Sequence, residues 1–258
     1  MLPTLAEFWS PRFRRYVEPF AGSAALFFRL CPQSAVLGDI NEGLIEAYEV
    51  LRERPDDVYD AVKAIPRGKR EYYRVRDQSP RRMKPFGRTV RFVYLNRYCF
   101  NGLFRTNTAG QFNVPYAHVK PGILPPVEDF RRCAALLQRA HLRFGDFGRI
   151  LSAVRAGDFV YADPPYVVKA RRVFRQYDRR EFTSKDLARL ADHLESIHDR
   201  GAHFVVSYAD CSEAREILGR WQHRRMKVRR HIAGFADARR SAFELLVTNI
   251  RPETTDAC

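Results

Sequence analysis

The chain predicts an α/β fold: a mainly parallel sheet built from both ends of the sequence, with a basic, mainly helical insertion between them. Three observations carry that expectation. Strand, glycine turn, helix, strand and helix follow one another in residues 1–54, which is the grammar of a parallel sheet. That alternation stops at Pro55 and resumes near residue 140. The segment between has another composition and carries most of the excess positive charge.

Tyr16-Val17-Glu18 is a short run closed by Pro19, and Phe20 to Leu30 follows, where Gly22, Ser23, Ala24 and Ala25 open a helix-compatible stretch. Ala35-Val36-Leu37-Gly38 reads as a second strand ended by Asp39. Asn41 has the side chain to cap the next helix, whose Leu44, Ile45, Tyr48 and Leu51 repeat at helical spacing. From Pro55 to about Arg139, helical segments rich in Arg and Lys give way to the run Arg91-Phe92-Val93-Tyr94-Leu95-Asn96, then to a polar stretch ending at Pro115. Within it, Thr106-Asn107-Thr108-Ala109-Gly110-Gln111 has hairpin chemistry, because Asn and Gly take positive φ readily. Strands at Leu142–Phe144 and Phe159–Tyr161, a helix at Ser184–Arg200, and strands at His203–Ser207 and Phe243–Thr248 complete the pattern. Residues 1–54 and 140–258 are thus expected to form one domain and residues 55–139 an inserted one.

Charge is unevenly spread. Residues 1–60 hold 6 basic and 10 acidic side chains, residues 61–182 hold 26 and 9, and residues 183–258 hold 13 and 11. The whole net charge of +15 therefore comes from the middle block. A localised surplus is the footprint of a phosphate-bearing partner, the plain alternative being a set of solvated helix faces. No apolar run approaches the 18 or so residues of a membrane span, and the N-terminus lacks the regions of a signal peptide. Five cysteines without CxxC pairing suit reduced thiols, and seven histidines show no ligand spacing, so neither a disulfide framework nor a metal is expected. A cytoplasmic monomer is the expected setting.

Asp163-Pro164-Pro165-Tyr166 is the sharpest chemical signal. It follows an apolar strand, at the carboxyl edge where α/β enzymes bind ligands. Two prolines donate no N–H and stiffen the segment, so the Pro164 carbonyl and the Asp163 carboxylate make two acceptors beside the flat ring of Tyr166. Two acceptors and a platform suit the exocyclic amine of a flipped nucleobase; otherwise Pro-Pro merely ends a strand. Glu18-Pro19-Phe20-Ala21-Gly22-Ser23 is the second signal, a strand-to-helix turn whose glycine lets a cofactor approach the backbone. It is not GxGxxG, which disfavours a pyrophosphate site. Asp39, 17 residues past Gly22, is placed to accept hydrogen bonds from ribose hydroxyls.

These motifs resemble those of the DNA adenine methylases, the Dam-type N6-adenine-specific DNA methyltransferases that use S-adenosylmethionine. The resemblance covers nearly the whole chain and includes Glu18-Pro-Phe-Ala-Gly22, Gly38-Asp39-Ile-Asn41, Leu95-Asn96-Arg97-Tyr98 through Asn101-Gly102-Leu103-Phe104-Arg105, Phe112-Asn113-Val114-Pro115 and Asp163-Pro-Pro-Tyr166. It implies a Rossmann-like class I methyltransferase sheet with an inserted target-recognition domain, acting on double-stranded DNA. It also implies that Glu18, Phe20, Gly22 and Asp39 hold the cofactor, with Asp163 beside them. Asp163 and the Pro164 carbonyl would grip the adenine amine, with Pro165 stiffening the segment and Tyr166 stacking on the flipped ring. Arg105 would read a guanine edge, Leu103 and Pro115 touch a thymine methyl, Asn101 contact base or phosphate, and Phe100 wedge into the stack. Such a set suits a GATC-like target. For Leu103 and Phe100 the plain alternative is packing of the hairpin. For Asp146 the choice lies between the cofactor adenine and a solvated turn.

Two departures from the family pattern stand out. The family opens with a Trp-x-Gly-x-Lys segment that closes over the cofactor, and Met1-Leu2-Pro3 starts just past its place. A cofactor-deficient, DNA-binding relic is therefore an alternative reading, and a methyltransferase acting on RNA is another. The family's second cofactor glycine is also replaced by Ala24, whose methyl is expected to be tolerated in the first helical turn.

Overall fold

The computed structural model describes residues 1–107, 109–119, 122–166, 182–229 and 241–250. Its strands are β1 (Arg15–Glu18), β2 (Ala35–Asp39), β3 (Ala140–Phe144), β4 (Asp158–Ala162), β5 (His203–Ala209), β6 (Gln222–Arg229) and β7 (Ser241–Thr248). They form one sheet in the order β3-β2-β1-β4-β5-β7-β6. The first five keep the 3-2-1-4-5 order of a Rossmann sheet. Strand β1 runs parallel to β2 and β4, and β4 parallel to β5, whereas β7 is antiparallel to both β5 and β6. The Rossmann-like expectation is met. By internal contacts the described chain divides into two compact units: Met1–Gly38 with the segments from Asp146 to Tyr166 and from Phe182 onward, and Asp39–Gly145.

In the first unit, all five residues of β4 are buried. Alternation sends Val160 and Ala162 to one face, in a core with Leu187, Leu190, Leu194 and Ile197 of helix α9 (Ser184–Asp199). Those four recur at helical spacing and are fully buried, each contributing about 2 kcal/mol of apolar transfer. The helix starts with a reciprocal cap, Thr183 to the Asp186 amide and the Asp186 carboxylate back to the Thr183 amide. On the other face, Phe159 meets the rings of Tyr16, Trp9 and Phe13 at 6.1, 5.5 and 5.2 Å. Helices α1 (Leu2–Ala6), α2 (Ala25–Leu30), α8 (Phe147–Ser152) and α10 (Ser212–Leu218) complete the unit. At the amino end of β4, the fully buried Asp158 accepts from Arg14 (3.2 Å), Arg15 (2.6 and 3.3 Å) and the Arg155 amide (3.0 Å).

Ala24 corrects one expectation. It lies not in the first helical turn but at the N-cap of α2, with φ 48° and ψ 33°. A Cβ in the left-handed region strains the backbone by about 1–2 kcal/mol, and glycine escapes this. Part of the gain is offset by the freedom glycine adds to the unfolded chain. Ala24→Gly is therefore expected to stabilise the protein by about 0.5–1 kcal/mol, read as a rise of about 2 °C in melting temperature. A lower melting temperature would contradict the strain.

In the second unit, helices α3 (Glu42–Glu53), α4 (Pro55–Ala64), α5 (Lys69–Arg76), α6 (Pro85–Tyr98) and α7 (Val127–Leu137) surround a core that includes Val58, Val62, Tyr72, Val75, Tyr94, Leu95 and Val114. Asn41 caps α3 through the Leu44 amide, as expected. Helix α3 packs on α4, α6 and α7 within this unit, so the contact boundary precedes α3 whereas the composition boundary follows it. The run Arg91–Asn96 is the second half of α6. Arg91 closes α5 by donating to the Val75 and Arg76 carbonyls at 3.0 and 2.5 Å. The hairpin arms pair through two isolated bridges, Cys99 with Tyr116 and Thr106 with Phe112, rather than a continuous ladder. Asn107 Oδ1 organises the tip, accepting from the amides of Ala109 and Gln111 at 3.0 and 2.9 Å; Thr108 of that turn lies outside the described residues.

Strand β6 was not expected from the sequence. Its run Gln-His-Arg-Arg-Met-Lys-Val-Arg is mostly charged or polar, as suits the outer strand of the described sheet, where it pairs with β7. Edge strands are commonly guarded by charge. No helix among the described residues is long and apolar enough to cross a bilayer.

Candidate active site

Strand register brings a row of polar residues to the carboxyl edge of the first unit. Val17 pairs with Val160, which sets Glu18 beside Tyr161 one step on. Ala162 pairs with Val206, which sets Asp163 beside Ser207, and Ala209 pairs with Glu244. Because side chains alternate, Glu18, Tyr161, Ser207 and Glu244 share one face.

Asp163 is the centre of that row. Its Oδ1 accepts from the Ser207 hydroxyl at 2.7 Å, and the Ser207 oxygen lies 3.0 Å from the Tyr161 hydroxyl. Asp163 keeps an open side to solvent, yet the protein crowded around it removes much of its hydration. That loss pushes its pKa from 3.8 up to about 6, with the Glu244 charge adding to the rise and the Ser207 hydrogen bond opposing it. Pro164 is buried and Pro165 exposed. The Tyr166 hydroxyl donates to Glu244 Oε1 at 3.0 Å, and its half-buried ring stands edge-on to Tyr208 at 5.2 Å. The expected acceptor–platform arrangement is thus braced by Ser207, Tyr161 and Glu244, which the motif reading did not pick out. A polar residue ending the run Phe204-Val205-Val206, and a lone acid in the apolar β7, were the available signals.

Around the first turn, the buried Glu18 accepts from the Tyr16 hydroxyl at 2.9 Å, and burial with the Glu18 charge holds that tyrosine well above its ordinary pKa. Phe20 packs on Phe147 at 5.1 Å. Gly22 adopts φ 47°, and a Cβ there would meet open space, so the backbone conformation itself calls for glycine. Asp146 caps α8 through the Gly148 amide at 2.9 Å, and Arg189 grips both its oxygens at 3.1 and 2.9 Å while lying 4.3 Å over the Phe147 ring. It is a braced cap, not a solvated turn. A Cβ on Gly148 would come within 3.0 Å of Asp146 and His193, so the chain passes closely there.

The remaining candidates belong to the second unit. Asp39 Oδ1 accepts from the Asn41 amide at 2.8 Å, and its carbonyl accepts from the Gly145 amide at 2.9 Å. Ile40 and Phe144, flanking that link, are exposed at 39% and 56%, an apolar pair the sequence reading passed over. On the hairpin, Phe100 is exposed, Asn101 takes φ 54° and Pro115 is exposed, while Leu103 packs partly against the helical core. Arg105 is braced by Asn113, donating to its Oδ1 at 2.7 Å and its carbonyl at 3.3 Å. Among the described residues of the block, Arg74, Arg76 and Arg132 take up Glu71, Asp77 and Asp129, and Arg88 and Arg131 take up Glu46 and Asp56. Lys169, Arg171, Arg172, Arg175, Arg179 and Arg180, also part of that block, lie outside the described residues.

Comparison with known proteins decides the family. Residues 3–232 match the model of the D12 class N6 adenine-specific DNA methyltransferases. The chain belongs to this family. It is similar to the type II methyltransferase M1.LlaDCHI of Lactococcus lactis subsp. cremoris, 30% identical across 96% of this chain and 91% of that one. It is 32% identical to the DNA adenine methylase of Escherichia coli K12, over 92% of this chain and 86% of the other. The type II methyltransferase M.MjaIII of Methanocaldococcus jannaschii is 30% identical over 75% and 73%. The resemblance read from the motifs is therefore shown, and the D12 match spans the first glycine turn, the hairpin and the Asp-Pro-Pro-Tyr segment alike. Among the described residues of this D12 methyltransferase, no group of three or more His, Cys, Asp or Glu side chains is placed to hold a metal.

Proposed function

We propose that the chain methylates the N6 amino group of adenine in duplex DNA with S-adenosylmethionine as donor. The observation that carries this reading is Asp163, pinned at one oxygen by Ser207 and followed by two prolines and a tyrosine tied to Glu244. The residues present fit the donor. In the first unit, Glu18 offers a buried acid for an ammonium group and Gly22 open space beside the backbone; in the second, Asp39 offers a carboxylate for ribose hydroxyls, and Ile40 and Phe144 apolar surface for a planar base. Asp146, held by Arg189, anchors the start of α8 beside them in sequence. When bound, the donor supplies an electrophilic methyl on sulfonium.

Asp163 and the Pro164 carbonyl accept the two amino hydrogens, which turns the nitrogen lone pair out of the ring plane, and Tyr166 supports the ring. With the donor held, that lone pair would be presented to its electrophilic methyl, and Asp163 or water would take up the N–H proton released afterwards. Arg105, braced by Asn113, presents a guanidinium to a guanine edge, with Leu103, Pro115, Asn101 and Phe100 alongside. Residues 55–139 serve as the recognition insertion, and the basic block binds phosphates.

Transfer of radiolabelled methyl to unmethylated duplex, followed by digestion and nucleoside chromatography, tests the reading. Label in N6-methyladenosine supports it, and label elsewhere or none overturns it. Duplex affinity is expected to fall about 1,000-fold between 50 and 200 mM salt, as for a protein making several phosphate contacts. A flat response in a binding titration would refute the phosphate footprint.

A further inference from the structure

Beyond the motif itself, the first unit holds a hydrogen-bonded chain behind Asp163. Ser207 has one hydroxyl hydrogen, and it is directed at Asp163 Oδ1 (2.7 Å). Tyr161 must then be the donor across the 3.0 Å contact with the Ser207 oxygen, so the chain runs Tyr161 to Ser207 to Asp163. Both donors are buried, Tyr161 at 5% and Ser207 at 0% exposure, whereas Asp163 is open on its outer side. We propose that Ser207, itself oriented by Tyr161, is a positioning residue that fixes one Asp163 oxygen and presents the other to the substrate amine. This rests on the methyltransferase reading for its consequence in catalysis, but not for the contact itself.

The surroundings show why such a device is needed. Among the described residues, the groups facing this cluster include Tyr161 from β4, Ser207 from β5, Glu244 from β7, Tyr166 downstream in its own segment, and Glu18 with Tyr16 from β1. Glu244 and the lost hydration both favour the protonated acid, and the Ser207 hydrogen bond is the influence that favours the carboxylate. A protonated Asp163 offers a donor where the amine requires an acceptor. The direction of the chain also excludes one role. Its hydrogens all point toward Asp163, and burial holds the Tyr161 hydroxyl protonated, so it cannot carry the amine's proton away. That proton leaves on the open side.

The test uses Ser207→Ala, Tyr161→Phe and the double variant in the full-length protein. The Asp163 carboxyl is titrated directly by carbon NMR of 13C-labelled aspartate without cofactor or DNA, its signal assigned with Asp163→Asn. Single-turnover methyl transfer against pH, cofactor and duplex titrations, and thermal melts are recorded in parallel. Ser207→Ala is expected to raise the Asp163 midpoint by about one pH unit, the worth of one hydrogen bond to a charged group. The acid limb of the rate should move with it, and the rate at pH 7 should fall about 10- to 100-fold, as for a misplaced catalytic group, with both binding constants within about twofold. The double variant leaves no orphaned buried hydroxyl, so it should recover the thermal stability lost in Ser207→Ala yet keep the raised midpoint and the slow rate. An unmoved midpoint in Ser207→Ala, or a rate that returns with stability in the double variant, overturns the proposal. If the wild-type protein methylates no adenine, the catalytic reading falls, while the carboxyl titration still decides whether Ser207 holds Asp163.

Discussion

Asp163→Ala is expected to lower methyl transfer about 1,000-fold or more while leaving duplex binding within about threefold. On the function proposed above, the side chain would supply an acceptor as the amine pyramidalises, so its loss should remove transition-state stabilisation rather than uniform binding. Single-turnover rates with a gel-shift titration separate the two, and turnover within tenfold of wild type would refute the role. The same carboxyl sets a pH dependence. With its pKa raised from 3.8 to about 6, Asp163 is an acceptor above pH 6 and increasingly a donor below it, so the rate should fall on the acid side of that value. Stability moves the other way. The folded state holds the extra proton between the two pKa values, so the favourable contribution of the protonated acid is complete below about 4 and is lost as pH rises through 6.

The largest expected effect on stability lies at the far end of the same strand. Asp158→Ala should destabilise the protein by about 3 kcal/mol, lowering the melting temperature by about 6–12 °C. Asp158 is wholly buried and neutralises Arg15, whose side chain is 20% exposed, along with the more exposed Arg14. Its removal leaves a half-buried guanidinium and the Arg155 amide without their acceptor. Denaturant unfolding measures the loss, and a change under 1 kcal/mol would show that solvent replaces the carboxylate. Methyl transfer per folded molecule should be unaffected, because this pair sits at the amino end of β4.

Much of this architecture is legible in the sequence because burial imposes period. Strand β4 is covered on both faces and reads as an unbroken apolar run after Asp158, and α9 exposes its polar side and reads as an amphipathic helix. Strand β6 was illegible for the opposite reason: it is an outer strand rich in Arg, and its side chains from Gln222 to Lys227 are exposed or only partly buried. The Arg91–Asn96 run hid within α6 because Tyr94 and Leu95 pack in the helical core while their neighbours are only partly buried. At the site, motif residues announced themselves by type and spacing, but the side chains that hold them did not. Ser207 and Glu244 lie more than 40 residues from Asp163 and reach it only through strand register. Ala24 was misjudged because sequence gives a residue's identity and not its φ.

Strand β4 has one further property, and it concerns length. It spans five residues, with the Asp158 anchor at its first position and Asp163 just past its last. Both attachments are fixed to neighbouring strands by register, and successive residues face opposite sides of the sheet. Adding or deleting one residue here would turn Asp163 away from Ser207 or pull Asp158 off its arginines. The described part of the hairpin tip between Thr106 and Phe112 is tied within itself, through Asn107, and not to the register of the sheet. Insertions and deletions should therefore be absorbed in the hairpin and be lethal to β4, whose residue count constrains the protein more tightly than its hydrophobic composition does.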